Sequence, residues 1–383
     1  MSEACVGPFP FPLTSISVVG AGDAVQLRQR LLARTAEFVD VPSESFAELP
    51  MVQRLEQLLE PCSHLTLDRV GDNLVARTTL GRSQRLVLAG HTDTVPVNNN
   101  GKARIDGDVV WGLGSADMKA GLAVMTELAR DLERPALDVT YVFYAREEVA
   151  GEHSGLEEIF VARPELLAGD AAVLGEPTSG RIEAGCQGTL RVKVTLRGVR
   201  AHTARPWMGR NAIHRLSGLL ARLASFEPRA PVVAGLQFRE AMQAVAVAGG
   251  TAGNVVPDEA SVVINHRFAP DRDIEAALAE VRRVIHDQLD EGDEMELVEY
   301  SPAGAPAMDH PLLAALRQRS GAEVEAKLGW TDVARFSARG VPAVNFGPGD
   351  ALLAHRADER VDAASLQAVY EAMADLLTTG ATH

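Results

Sequence analysis

Apolar runs and polar interruptions divide this chain into two kinds of region. Four short runs, RLVLAG (85–90), DVTYVFYA (138–145), AAVLG (171–175) and PAVNFG (342–347), carry apolar residues with little alternation. That is the pattern of strands covered on both faces. Between them lie stretches whose apolar residues return at helical spacing, notably 23–40 and MKAGLAVMTELARDLERP (118–135). Strands alternating with helices predict an α/β unit, a mixed but mostly parallel sheet with helices on both faces.

The middle of the chain has a different rhythm. TLRVKVTLRG (189–198) alternates apolar and polar residues, and MQAVAVAGG (242–250), EASVVINHRFAP (259–270) and MELVEY (295–300) also read as strands. RNAIHRLSGLLARLASF (210–226) and DIEAALAEVRRVIHDQL (273–289) read as amphipathic helices. The order β-α-β-β-α-β predicts a ferredoxin-like α+β domain over 187–298. It interrupts an α/β domain made of 23–186 and 299–383. Residues 1–22 read as an irregular leader. Within 17–25, SVVGAGDAV offers a strand-like run and then Gly20 and Gly22. A dinucleotide-binding loop needs a third glycine where Val25 stands, and no βαβ unit follows.

Composition narrows the function classes. Net charge is −15 over 383 residues, which argues against nucleic acid or an anionic membrane as partner. No run approaches 18 uninterrupted apolar residues, and the N-terminal stretch lacks the basic start of a signal peptide. Cys5, Cys62 and Cys186 are too scattered for a zinc knuckle or a disulfide framework. A reducing, cytoplasmic setting is the expectation.

The polar residues that stand out fall just after the apolar strands, where open α/β sheets place ligands. His91 and Asp93 follow the first run, and Asp117 opens the long helix. Glu147 and Glu148 follow the second run, Glu176 the third and His355 the fourth. Taken singly, each has an ordinary explanation as a helix cap or a solvated loop acid. Together they form a set of imidazoles and carboxylates suited to Zn²⁺. Three carboxylates and two histidines give each of two ions about three ligands if one carboxylate bridges. A base must then stand near the ions without being consumed as a ligand.

GHTDTV, GLGSADMKAG, YAREEVAG, GEPT and FGPGDALLAH resemble, in order, the five metal-site blocks of the M20 family of dinuclear zinc amidohydrolases and peptidases. The resemblance runs from about residue 23 to the C-terminus. It implies a zinc-peptidase-like catalytic domain with an inserted lid and dimerisation domain, and an enzyme that hydrolyses an amide. It implies that His91 and Glu176 bind one zinc, Glu148 and His355 the other, and that Asp117 bridges them before a cis bond to Met118. Co or Mn would be substitutes. It further implies that Asp93 orients His91 and that Glu147 is the general base. His202 in RAHTARP would enter the site of the partner subunit in a homodimer. Asn254, Arg267 and Thr331 would bind substrate.

EAGCQGTLRVKVT, GGTAGNVVPDEASV and GWTDVARF resemble one deacylase branch of the family, acting on N-acyl amino acids with several carboxylates. Other deacylases and aminoacylases share every metal residue, so the acyl group stays open. In many members of the other bacterial type of this deacylase an arginine pair stands where this chain has Cys186–Gln187. Arg200, Arg205 or Arg267 would then have to supply the cation. A non-catalytic relative would lack a ligand or the base, and this chain retains all of them.

Overall fold

The computed structural model describes residues 21–381. The leader expected over 1–22 lies outside the described residues, except that Ala21 and Gly22 open the first helix, Ala21–Asp40. The helix expected from residue 23 thus begins two residues earlier, at Ala21. Leu31, Leu32, Thr35, Phe38 and Val39 recur at helical spacing and are buried, and that longer periodicity decides the local structure.

Eight strands form one mixed sheet. Its order is Thr66–Val70, Asn73–Arg77, Asp138–Tyr144, Arg85–His91, Ala171–Leu174, Ala343–Asn345, Ile182–Cys186, Val324–Lys327. The four central strands, from Asp138–Tyr144 to Ala343–Asn345, are mutually parallel. The Thr66–Val70 and Asn73–Arg77 strands join one side antiparallel, and Ile182–Cys186 joins the other antiparallel.

Alternation along each central strand sends side chains to two separate cores. Leu86, Leu88, Tyr141 and Phe143 pack with the helices Ala21–Asp40, Leu49–Leu59, Lys119–Asp131, Pro311–Ser320 and Ala363–Thr379. Val87, Ala89, Val142 and Tyr144 pack with Gly155–Ala162 and Val333–Ser337 on the opposite face. Burying each of the Leu, Val and Phe side chains among them contributes roughly 1.5–3 kcal/mol. This two-sided burial is why the runs read as continuously apolar. The parallel strands all finish at the same edge, which fixes where their following residues gather.

The second sheet has the order Ala241–Gly249, Glu259–Phe268, Gly188–Arg197, Glu294–Ser301, antiparallel throughout. Leu190, Val192, Val194, Val262 and Ile264 face the helices Ala212–Ala224 and Ile274–Ile285. The other face carries the alternate residues, among them Thr189, Arg191, Lys193, Asn265 and Arg267. The strand order places the first and third strands in the centre, as in a ferredoxin-like domain. Its last strand runs to Ser301, three residues past the edge of 298 drawn from sequence. Beside this sheet, Ala201–His202 pairs with Val255–Val256 in a short ribbon.

Candidate metal and catalytic site

Five of the singled-out residues meet at the carboxyl edge of the central strands. His91 ends its strand with the ring buried, and its Nε2 lies 3.1 Å from Asp117 Oδ1. His355 Nε2 lies 2.9 Å from Glu148 Oε1 and 3.7 Å from Asp117 Oδ2. Donor atoms of His91, Asp117 and Glu176 lie within 4.8 Å of one another, as do those of Asp117, Glu148 and His355. Asp117 is common to both triads. A third grouping, His91 with Glu147 and Glu148, places Glu147 beside the triads without Asp117.

The donor set fits divalent cations on electrostatic grounds. Burial pushes the Glu176 carboxyl up to about 8, and the neighbouring Asp117 charge adds to the rise. Its Oε1 is buried without a hydrogen-bond partner. Glu147 is pushed well above the usual carboxylate range, first by burial and then by Glu176, Asp332 and Glu148, against the pull of His91. Burial opposes a charged His91, yet the hydrogen bond to Asp117 and the nearby negative charges of Asp93 and Glu176 outweigh it and raise the imidazole well above its ordinary value. Carboxylates packed this closely repel one another, and cations would relieve that repulsion.

Local structure presents each ligand. The Asp117–Met118 peptide bond is cis. The Asp117 loop is pinned from behind by the buried Glu359, whose carboxylate accepts the N–H groups of Gly114, Ala116 and Asp117 at 2.9–3.0 Å. Glu176 follows Gly175, whose carbonyl packs against Gly121 of the Lys119–Asp131 helix. A Cβ on Gly121 would stand 2.2 Å from that oxygen. Arg146 and His355 both hold left-handed φ values, 61° and 64°. For non-glycine residues this is uncommon strained backbone, and here both cases border the ligands. Arg146 is anchored by Glu158, Asp72 and the carbonyl of His153.

Asp93 acts differently from the expected contact with His91. His91 Nδ1 faces the Asp93 backbone carbonyl at 3.0 Å, while the Asp93 carboxylate stands 3.6 Å away. That carboxylate instead accepts the backbone N–H of Glu147 at 3.0 Å, that of Glu148 at 3.1 Å and the Ser45 hydroxyl at 2.8 Å. It fixes the loop that carries both glutamates.

The other expected residues lie apart. His202 is exposed on the two-stranded ribbon, and Asn254 is exposed on the adjoining turn, where its carbonyl accepts the N–H of Thr203. Within one chain neither joins the metal cluster. Thr331 is buried with an unpartnered hydroxyl, while its neighbours Trp330 and Asp332 line the cleft. Arg200 is engaged by Asp258 and lines a different surface, and Arg205 is exposed on the ribbon loop. Arg267 does face the cleft of about 360 Å³ that contains Glu147, Glu148 and His355.

Sequence reasoning missed Glu359, Ser45 and the cleft-lining Arg191. Glu359 lies in RADERVD and Ser45 in PSESF, polar stretches with no periodicity to mark a buried acceptor.

The chain is similar to several known proteins. Residues 87–379 match peptidase family M20/M25/M40. A Mycobacterium tuberculosis protein named for succinyl-diaminopimelate desuccinylase, DapE, is 47% identical over 352 residues, 91% of this chain and 96% of its own. Succinyl-diaminopimelate desuccinylase of Corynebacterium glutamicum is 42% identical over 348 residues, 88% of this chain and 92% of its own. Among solved structures, a tripeptidase from Staphylococcus aureus superposes with a TM-score of 0.76 at 22% identity, covering 92% of this chain and 98% of its own.

Proposed function

Since the chain belongs to peptidase family M20/M25/M40, we propose that it hydrolyses N-succinyl-L,L-2,6-diaminopimelate to succinate and L,L-diaminopimelate, a step of lysine biosynthesis. The observation that carries this reading is the pair of donor triads sharing Asp117, with Glu147 beside them. The 42–47% identity to desuccinylases over most of the chain supports the substrate.

His91, Glu176 and Asp117 would hold one cation, and Asp117, Glu148 and His355 would hold the other. The nitrogen and oxygen donors suit two zinc ions per subunit. When bound, such ions polarise an amide carbonyl and acidify a water molecule. Glu147 takes a proton from the attacking water as its oxygen bonds to the amide carbon. As the C–N bond breaks, Glu147 passes that proton to the departing amine. Asp93 holds the backbone of both glutamates so that Glu148 serves as ligand and Glu147 as base. The ferredoxin-like domain is the lid and dimer contact, and His202 of the partner subunit donates to the developing oxyanion. Asn254, Arg267 and Thr331 complete the substrate site. No helix among the described residues is long and apolar enough to cross a membrane, which is compatible with a cytoplasmic enzyme.

Cys186 and Gln187 are buried and offer no cation at the entrance to the second domain, which keeps another deacylase in view. A substrate panel decides. Metal-stripped enzyme reconstituted with zinc should turn over N-succinyl-L,L-diaminopimelate at least about 100-fold faster, by kcat/KM, than N-acetylornithine or small N-acyl amino acids. Preference for N-acetylornithine would overturn the substrate assignment and leave the hydrolytic mechanism standing.

A further inference from the structure

We infer that Arg191, on the polar face of the second sheet, is a specificity residue that binds a substrate carboxylate together with Arg267 and Thr189. The inference rests on the proposed amide hydrolysis of an acidic substrate.

Register places these groups. In the central strand, Thr189 pairs with Arg267 on one side and Ser301 on the other. Two residues on, Arg191 pairs with Asn265 and Glu299. All six side chains point away from the helices, because the alternate residues Leu190, Val192 and Ile264 form the core. Arg191 and Arg267 are thus diagonal neighbours, within reach of a shared ligand.

Their electrostatics are unbalanced. Arg191 is ion-paired with Glu299 and remains half exposed. Arg267 has no hydrogen bond or ion pair among the described residues, and burial and the nearby Arg191 charge lower its pKa. Arg191 thus has Glu299 as its partner, while the Arg267 guanidinium has no carboxylate within ion-pair distance among the described residues. The Asn265 amide donates to Thr189 Oγ1 at 3.0 Å, which leaves the Thr189 O–H free to donate outward. Thr189, Arg191 and Arg267 line the same cleft as Glu147 and His355. Two guanidiniums and a hydroxyl converging beside a hydrolytic centre form a receptor for a carboxylate. N-succinyl-L,L-diaminopimelate could fill it with the carboxylate of its acyl arm or with one on its amine arm.

The test uses the full-length, zinc-loaded enzyme and its Arg191→Gln and Arg191→Lys variants. Three compounds separate the arms: N-succinyl-L,L-diaminopimelate, its N-butyryl analogue without the acyl carboxylate, and N-succinylcadaverine without the amine-side carboxylates. KM and kcat are measured, or Ki where an analogue is not turned over. Arg191→Gln should raise KM for the full substrate about 10- to 100-fold, the loss of one charge-assisted hydrogen bond, with kcat within about threefold. Arg191→Lys should recover part of it. The analogue lacking the bound carboxylate should be insensitive to Arg191→Gln, which identifies the arm. Equal effects on all three compounds, or no effect on any, would overturn the inference. A wild-type enzyme that ignores N-succinyl-L,L-diaminopimelate would instead sink the functional proposal. Normal wild-type turnover with an indifferent Arg191→Gln variant would sink this inference alone.

Discussion

Replacing Asp93 by Asn tests whether this residue works through the glutamate loop or through His91. The Asp93 side chain is fully buried and accepts three hydrogen bonds, from Glu147 N, Glu148 N and Ser45 Oγ. An asparagine offers one oxygen and one NH₂ group. At least one backbone N–H must then face another donor in a buried place, which costs about 1–3 kcal/mol. The loop should shift to escape that clash and carry both glutamates with it. A displacement on the order of 1 Å costs about 100-fold in rate, so kcat should fall about 10²- to 10³-fold. The assay is kcat across a zinc titration of the metal-stripped protein, with metal content read alongside. The structure predicts a low kcat even when both sites are filled. A role confined to His91 would weaken zinc affinity about 10- to 100-fold and let saturating zinc restore the rate. Full recovery at saturating zinc would refute the reasoning from the loop.

Three further outcomes follow from the geometry. Glu359→Ala strands the buried N–H groups of Gly114, Ala116 and Asp117. It should cost about 3 kcal/mol in denaturant unfolding and weaken both cation sites in calorimetric titration, since Asp117 serves both. Gly121→Ala pushes a Cβ onto the Gly175 carbonyl. It should destabilise by about 1–3 kcal/mol and lower affinity at the site that includes Glu176, a change absent from the same substitution at the exposed Gly253. Asp293→Ala removes the buried carboxylate that holds the Arg215 guanidinium at 2.6–2.7 Å and leaves it only the half-exposed Asp290 at 2.9 Å and two backbone carbonyls. The second domain should lose about 1–3 kcal/mol near neutral pH. Burial alone would raise the Asp293 carboxyl, but Arg215 and the Arg197 and Asp290 amides hold it below its ordinary value. Its stabilisation is present above the unfolded carboxyl pKa of about 4 and is lost as pH falls through the lower folded value. The gap between wild type and Asp293→Ala should therefore narrow as pH falls below about 4. A gap independent of pH would contradict the ion-pair account.

Much of the site was legible in the sequence because one physical cause wrote both signals. Strands buried on two faces read as continuous apolar runs. Parallel strands deliver the residues that follow them to one edge, so His91, Glu147, Glu148, Glu176 and His355 could be picked out by position. The second sheet was legible for the opposite reason, since one covered face leaves strict alternation, as in TLRVKVTLRG. What stayed hidden depends on tertiary contact. The hairpin Thr66–Val70 with Asn73–Arg77 is short and mixed in polarity, and its strand character comes from pairing with Asp138–Tyr144. Glu359 is a buried acceptor whose three donors lie more than 240 residues away. Arg191 looks like any solvated residue on an amphipathic strand until the register sets it beside Arg267 and the cleft. Thr331 shows the limit of motif reading, because its hydroxyl is buried without a partner while the neighbouring Trp330 lines the cleft.

The central claim is that the adjacent Glu147 and Glu148 do separate work, base and ligand. Its most direct test is to measure bound zinc per subunit and kcat for Glu147→Gln and Glu148→Gln side by side. The account predicts that Glu147→Gln retains about two zinc ions and loses at least about 10³-fold in kcat, while Glu148→Gln loses about one zinc ion and recovers part of its rate at high zinc. Substantial turnover by Glu147→Gln, or equal zinc loss in the two variants, would contradict it.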